Sequence, residues 1–280
     1  MSRAGAVGLV LARPARLLGV EPFFMEFIAG IEETLADRGL SLLLHVVPSH
    51  DAEITAYGRW AARGLVDAVV VVNLAEGDRR PAALRELGLP CLLVGTWAAD
   101  PALPAVTTDD TGPAREAASR LLDLGHRVLA RVSGPAGLLH TRARTDAFTA
   151  RCREAGVEPV TVEGDYSAES GAELTARLLR RPDRPTAVVY DNDVMALAGL
   201  ARARELGVSV PGELSLLAWD DSAMCRLASP ALSVMRGEVH DFGTAVARSV
   251  LELTDGVPVV PRASPAVRFV ARGTTAAPPA

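Results

Sequence analysis

The 280-residue sequence predicts an α/β fold of two similar halves, each an open parallel sheet with helices on both faces. Three observations predict it. Apolar runs of strand length alternate with segments of helical periodicity. The turns between them are short. Glycine closes one helical segment after another, and the alternation repeats in a second round.

The first round opens on Ala6–Ala12, a buried strand. Arg3 followed by "AGAVGLVLA" has some features of a signal peptide, but the run leads directly towards a strong helix that needs it as a partner, so it reads as the first strand. That helix begins at Pro22, a residue suited to a first helical turn. Phe24, Phe27, Ile28, Ile31 and Leu35 share one face of it, and Gly39 stops it. "SLLLHVV" (41–47) reads as a strand, 51–63 as a helix ended by Gly64, and the β-branched "VDAVVVV" (66–72) as a strand. A short helix over 80–87 ends at Gly88, and "CLLVG" (91–95) is the next strand.

The second round begins near Asp110. Asp110 or Thr111 can cap a helix that has Pro113 in its first turn and Gly125 past its end. Strands follow at 128–132, 159–162, 186–190, 214–219 and 266–272. Helices fall at 142–155, 168–180, 193–206 and 239–255, and the tail "TTAAPPA" is expected to be loose.

Composition narrows the chemistry. Apolar residues make up 49% of the chain, which fits a globular protein. The net charge of −5 does not favour a nucleic-acid surface. All 29 basic residues are arginine. Without lysine there is no Walker A loop and no Schiff-base residue for pyridoxal chemistry. Cys91, Cys152 and Cys225 form no CxxC pair, which suits a reducing cytoplasm. The five histidines show no compact ligand spacing, so neither a metal nor a cofactor is expected. No apolar run reaches the ~20 residues a membrane span requires.

Enzyme signatures are missing too: no GxSxG elbow, no phosphate loop, no GxGxxG. Asp220 and Asp221 could in principle act as acid and base. Neighbouring strand residues point to opposite faces, however, so no catalytic residue is assigned and no enzyme is expected.

Open parallel sheets bind ligands at the carboxyl ends of their strands. In the second half those ends carry Ser133, the run Tyr190–Asp193, and Asp220–Asp221. Asp193 and Asp221 read as caps of the following helix or turn. Asp220 and Asn192 read as ligand contacts.

At this point the sequence resembles the effector-binding core of LacI/GalR-type transcription regulators, which share a type I periplasmic-binding-protein-like fold. The resemblance runs from about Val7 to Thr274. It is carried by "EPFFMEFIAGIEETLADRGLSLLL", "GLVDAVVVV", "REAASRLLDLGHRVLARVSGP", "RARTDAFTARCREAG", "PTAVVYDNDVMALAGLARARELGVSVPGELSLLAWDD" and "SPALSVMRGEVHDFGTAVARSVLEL". It implies two Rossmann-like lobes joined by three crossovers, with a small molecule held between them. The expected lobes are 1–122 plus 236–256 and 123–235 plus 257–280. The resemblance places Arg144 at the family's ligand-binding arginine, Asn192 at the asparagine of its "ND" strand end and Asp220 at the first aspartate of its "DD" pair. Tyr166 stands where the family often sets an aromatic against the ligand, and Phe23 or Phe24 matches its "PFF". Arg144 can equally be plain surface at a helix start, and Tyr166 a core-edge residue.

Several residues depart from the family pattern. The loop "ARPARLLGVEPFF" carries Arg13 and Arg16 in place of the usual polar groups, and Arg13 joins the candidate contacts. Asp191 stands where a small residue is common, an extra carboxylate that would favour a ligand richer in donors or positively charged. Trp97 in "GTWAAD" is a stacking candidate or a packing residue. The family's helix-turn-helix has no room in residues 1–5, so the chain taken alone is not expected to bind operator DNA.

The resemblance implies a cytoplasmic, homodimeric sensor whose effector is a sugar or a similar polar metabolite, with operator DNA contacted only through a separate module and no membrane partner. The alternative is a solute-binding protein of a sugar transporter.

Overall fold

The computed structural model describes residues 4–14 and 21–279. Along the chain these form β1 (Ala6–Ala12), α1 (Pro22–Ala36), β2 (Ser41–Val47), α2 (His50–Arg63), β3 (Ala68–Val71), α3 (Arg80–Glu86), β4 (Cys91–Val94) and β5 (Ala105–Thr107). Next come α4 (Gly112–Asp123), β6 (Leu129–Ser133), α5 (Leu139–Glu154), β7 (Val160–Glu163), α6 (Ala168–Leu179), β8 (Ala187–Tyr190), α7 (Asp193–Glu205) and β9 (Ser215–Trp219). The remainder comprises α8 (Ala223–Leu227), β10 (Ser233–Arg236), α9 (Val239–Thr254), β11 (Arg262–Ala263) and β12 (Arg268–Val270).

These elements build two units. One comprises Met1–Asp109 with Glu238–Pro265, the other Asp110–Gly237 with Ala266–Ala280. The chain therefore passes from one unit to the other at 109/110, 237/238 and 265/266. The division differs from the expected boundaries at 122/123, 235/236 and 256/257. Helix α4 belongs to the second unit because Ala114, Ala117, Ala118 and Leu121 pack in one cluster with Phe148 and Cys152 of α5. Strand β11 belongs to the first because it pairs with β5.

The first unit's sheet has the order β11-β5-β4-β3-β1-β2, with every pair parallel. Its core sets Val7, Leu9 and Leu11 of β1 against Phe27, Ile31 and Leu35 of α1 and Val246 and Val250 of α9. α1 and α9 meet at backbone contact. A Cβ on Gly30 would strike the His240 carbonyl, and one on Gly243 the Phe27 carbonyl.

Beneath the ends of β1 and β3 lies a closed polar network. Arg80, 1% exposed, pairs with Glu53 and Asp78 at 2.6 Å each and donates to the Asn73 carbonyl. Glu53 also accepts from the Ala12 N–H and the Tyr57 hydroxyl. Such a network is tolerable in a core because each charge has partners.

The second unit's sheet has the order β12-β10-β9-β8-β6-β7, parallel except for the antiparallel β10/β12 pair. One face packs Ala130, Val132, Val188 and Leu216 on α6 and α7. The other packs Leu129, Val189, Leu217 and Trp219 on α4 and α5. Being covered on both faces explains the nearly unbroken apolar strands.

Four short elements had no counterpart in the sequence reading: β5, β10, β11 and α8. The tail differs from expectation as well. Thr274 is fully buried; its hydroxyl donates to the Leu216 carbonyl and accepts from the Ser233 N–H. Ala276 is held by its N–H to Ser215 Oγ and by its carbonyl to His126 Nε2. The tail is thus laced to the sheet, because backbone groups beside a buried strand need partners.

Candidate functional site

The second unit gathers its polar groups where β6, β8 and β9 end. In register, Arg131 lies opposite Val189, and Val189 opposite Leu217. One strand step further, Asp191 and Trp219 stand on that same face, towards α5. Helix α5 brings Thr141, Arg144 and Thr145 over them.

Arg144 has a defined setting. Its Nε donates to Asp110 Oδ1 at 2.8 Å, and its guanidinium carbon lies 3.9 Å from the centre of the Trp219 ring. Ion pair and cation–π contact together fix the plane of the fork. Its two Nη groups bond no described residue.

Asp220 follows Trp219 with φ of 70°, left-handed backbone that an aspartate tolerates better than most residues. Its N–H donates to the Met235 carbonyl at 3.1 Å. Its carboxylate makes no hydrogen bond or ion pair among the described residues. Desolvation and then the charge of Asp193 push its pKa up to about 7, with Arg144 opposing and Asp191 adding to the rise. In its ionised form this carboxylate is an acceptor for hydroxyl donors.

Asp221 has a different fate. Arg272 grips both its oxygens, at 2.8 and 2.7 Å, and Arg226 stands 3.4 Å away. This carboxylate joins the end of β9 to the segment after β12, and it does so as an ion-pair clamp, not as a helix cap.

Asn192 is the N-cap of α7. Its Oδ1 accepts from the Met195 N–H at 2.9 Å, and its Nδ2 donates to the Tyr166 carbonyl at 3.0 Å. Capping was expected of Asp193, which is instead the first residue inside the helix. Burial raises the pKa of Asp193, and Ser222 bonds oppose the rise. Asn192 thus spends one acceptor and one donor inside the fold, leaving one of each.

Tyr166 also has φ of 70°. Its ring covers Gly134, where a Cβ would collide with it. Its hydroxyl meets His140 Nε2 at 2.9 Å and Thr141 Oγ1 at 3.2 Å. Burial, then the neighbouring Arg144, lowers the His140 pKa to about 4, so this imidazole is neutral at pH 7. Two left-handed non-glycine residues on one rim mark the strain that collects at functional sites.

Asp191 is engaged internally. Arg131, fully buried on β6, pairs with its Oδ1, and the Gly134 N–H donates to its Oδ2 at 2.7 Å. The extra carboxylate read from the sequence is therefore matched by an extra arginine in the strand beside it.

Arg144, Asn192, Asp220 and Tyr166 thus share one rim of the second unit. Phe23, Phe24, Trp97 and Arg13 belong to the first. Phe24 is buried, 5.3 Å edge-on from Phe23 and 6.5 Å from Phe27. Arg13 stacks over Phe24 at 4.3 Å and pairs with Glu21. Trp97 is half-buried, and its enclosed Nε1 finds no acceptor among the described residues. Arg16 lies outside the described residues.

Sequence reasoning did not single out Trp219, Arg131 or His140. Trp219 falls at the end of the strand expected over 214–219, and an aromatic directly before a strand-end carboxylate is a signal. Arg131 was the plainer one, a charge between Ala130 and Val132 in a buried run. Among the described residues there is no helix long and apolar enough to cross a membrane, and no cluster of acidic, cysteine or histidine side chains that could hold a metal ion.

A strand-end rim of this kind on a parallel α/β unit defines a small-molecule-binding domain. The pattern of the periplasmic binding protein-like domain matches residues 118–275, more than half the chain. Among solved structures, a LacI family transcriptional regulator from Bifidobacterium animalis is 36% identical, with a TM-score of 0.89 and full coverage of both chains. The "transcriptional regulator CelR-cellobiose complex" is 27% identical at a TM-score of 0.87, covering 97% of this chain and 85% of that one. The HTH-type transcriptional regulator CelR of Thermobifida fusca is 28% identical over 91% of this chain and 76% of its own length. The chain belongs to the LacI family of transcription regulators and is its effector-binding core.

Proposed function

We propose that this chain senses a sugar for a cytoplasmic regulator and binds it at the strand-end rim of the second unit. The observation that carries the reading is the unpartnered carboxylate of Asp220 beside Arg144, whose fork lies over Trp219. A carboxylate takes paired O–H donors, and a guanidinium fork gives paired N–H donors to vicinal oxygens. Asn192 has a donor and an acceptor to spare, and Tyr166 lies at the same rim. The naming of a relative as a cellobiose complex supports a sugar. Phe23 and Phe24 are proposed contacts on the family resemblance, Arg13 and Trp97 on their places in the first-half loop and at its strand end.

In the proposed mechanism the sugar shifts the balance between two conformations of a homodimer and so the DNA affinity of an attached helix-turn-helix. It can do this only by its difference in affinity for the two conformations. The test is a thermal-shift screen of sugars, cellobiose included. At a hundredfold excess over its Kd, a ligand adds about 2.7 kcal/mol of stability. Asp220→Ala and Arg144→Ala are expected to abolish the shift. Variants that respond as the parent does would overturn the assignment.

A further inference from the structure

Arg131 is fully buried, and one of its nitrogens is unsatisfied. Nη2 pairs with Asp191, and Nε donates to Thr145 Oγ1 at 3.3 Å. Nη1 is enclosed and has no partner among the described residues. A buried N–H without an acceptor is costly, and more so on a charged group, so such an atom calls for an explanation. Asp191 does not supply one: it is engaged by Nη2 and by the Gly134 N–H, and Nη1 lies outside hydrogen-bond reach of its oxygens.

The surroundings suggest what would fill the gap. Arg131 and Trp219 share a face of the sheet, Arg144 stacks on Trp219, and Thr145 neighbours Arg144 on α5. Among the described residues, the uncommitted donors here are Nη1 of Arg131, both Nη groups of Arg144 and the second Nδ2 hydrogen of Asn192. Against them Asp220 is the uncommitted carboxylate among the described residues. A sugar hydroxyl that accepts from an arginine still has its own proton to place. A carboxylate accepts several N–H bonds and returns none.

Building on the sugar-binding reading, we propose that Arg131 determines specificity: its free Nη1, with the free nitrogens of Arg144, takes a carboxylate, and the effector is a sugar acid whose hydroxyls are left to Asp220. The charges can accommodate this. Asp110 and Asp191 already balance the two arginines. An incoming anion then adds one negative charge beside Asp220, which gives up its own readily near neutral pH.

The test is calorimetric titration of this chain at pH 7 with matched pairs: glucose and glucuronate, galactose and galacturonate, cellobiose and cellobionate. The acid of at least one pair is expected to bind about tenfold or more tightly than its neutral partner, the scale of one charge-assisted hydrogen bond. Arg131→Lys keeps the charge and loses the fork, and should remove that preference, read as the ratio of the acid's affinity to that of its neutral partner. Arg131→Met with Asp191→Leu removes both charges together, in case the lysine variant does not fold. The parent's own preference needs no variant. Neutral sugars binding as well as the acids in every pair, with binding lost in Asp220→Ala, would overturn this inference and leave the sugar-binding reading standing. A preference surviving in both Arg131 variants would overturn the role of Arg131. Binding by none of the six compounds would overturn both readings.

Discussion

The guanidinium of Arg144 stacks 3.9 Å from the Trp219 ring while its Nε is tied to Asp110. The arginine is thus held on one face by an indole and at one edge by a carboxylate, with its outer nitrogens bonded to no described residue. A ligand that draws on those nitrogens must disturb the cation over the indole. Effector titration is therefore expected to change the tryptophan emission of the parent, and to change that of Trp219→Phe less. Trp219→Ala is expected to cost about 3–5 kcal/mol in denaturant unfolding, the range for truncating a buried aromatic.

Asp220 and Asp221 are neighbours with opposite commitments. Asp221→Ala strips Arg272 of its partner and is expected to destabilise the protein by about 2–4 kcal/mol, somewhat below a fully buried pair because Arg272 is partly exposed. Urea unfolding measures this. Ligand affinity should be retained, whereas Asp220→Ala should lose affinity and retain stability.

The state of Asp220 gives a pH signature. Its pKa, raised from 3.8 to about 7, means that the folded protein holds a proton the unfolded chain has released. Stability from this group is therefore present below pH 4 and is lost as pH rises from about 4 to about 7. Asp220→Asn is expected to flatten the Tm profile over that window and to raise Tm at pH 8. Neutral sugars, which need the ionised acceptor, should bind more tightly as pH rises through 7.

The tail supplies a separate test. Deleting residues 274–280 removes the acceptor for the Ser233 N–H and the Ala276 carbonyl that His126 contacts. The expected loss is about 3 kcal/mol, roughly 5–10 °C in Tm by scanning calorimetry. Burial lowers the His126 pKa, with the Ala276 bond opposing. Stability therefore falls as pH drops below 6.5, where the unfolded imidazole takes up a proton first. His126→Gln should weaken that acid limb.

The long elements were legible because periodicity and glycine stops survive in any context. "AVVY" is apolar throughout, and β8 lies within one residue of its expected start. β5 has three residues and β11 two, too few to show a pattern. β10 reads "SVMR", and its strand character comes from β9 and β12 on either side. The site was legible as a set of strand ends, which fixed Asp220 and Asn192 on one rim. The partnership of Arg131 with Asp191 was not, since the two are 60 positions apart and meet only through sheet register. Nor could sequence say which carboxylate of "DD" is clamped, because Arg272 lies 51 residues further on.

The passages of the chain at 109/110, 237/238 and 265/266 bear on how the protein emerges from the ribosome. The first unit has its leading strands early, yet α9, which covers α1, is made only after more than a hundred intervening residues. The second unit is nearly whole by Gly237 but waits for β12 and the laced tail. Translation thus leaves apolar surface of the first-born half uncovered while its neighbour is still being synthesised, a window in which chaperones would be needed and in which a stall before residue 238 would release an aggregation-prone fragment.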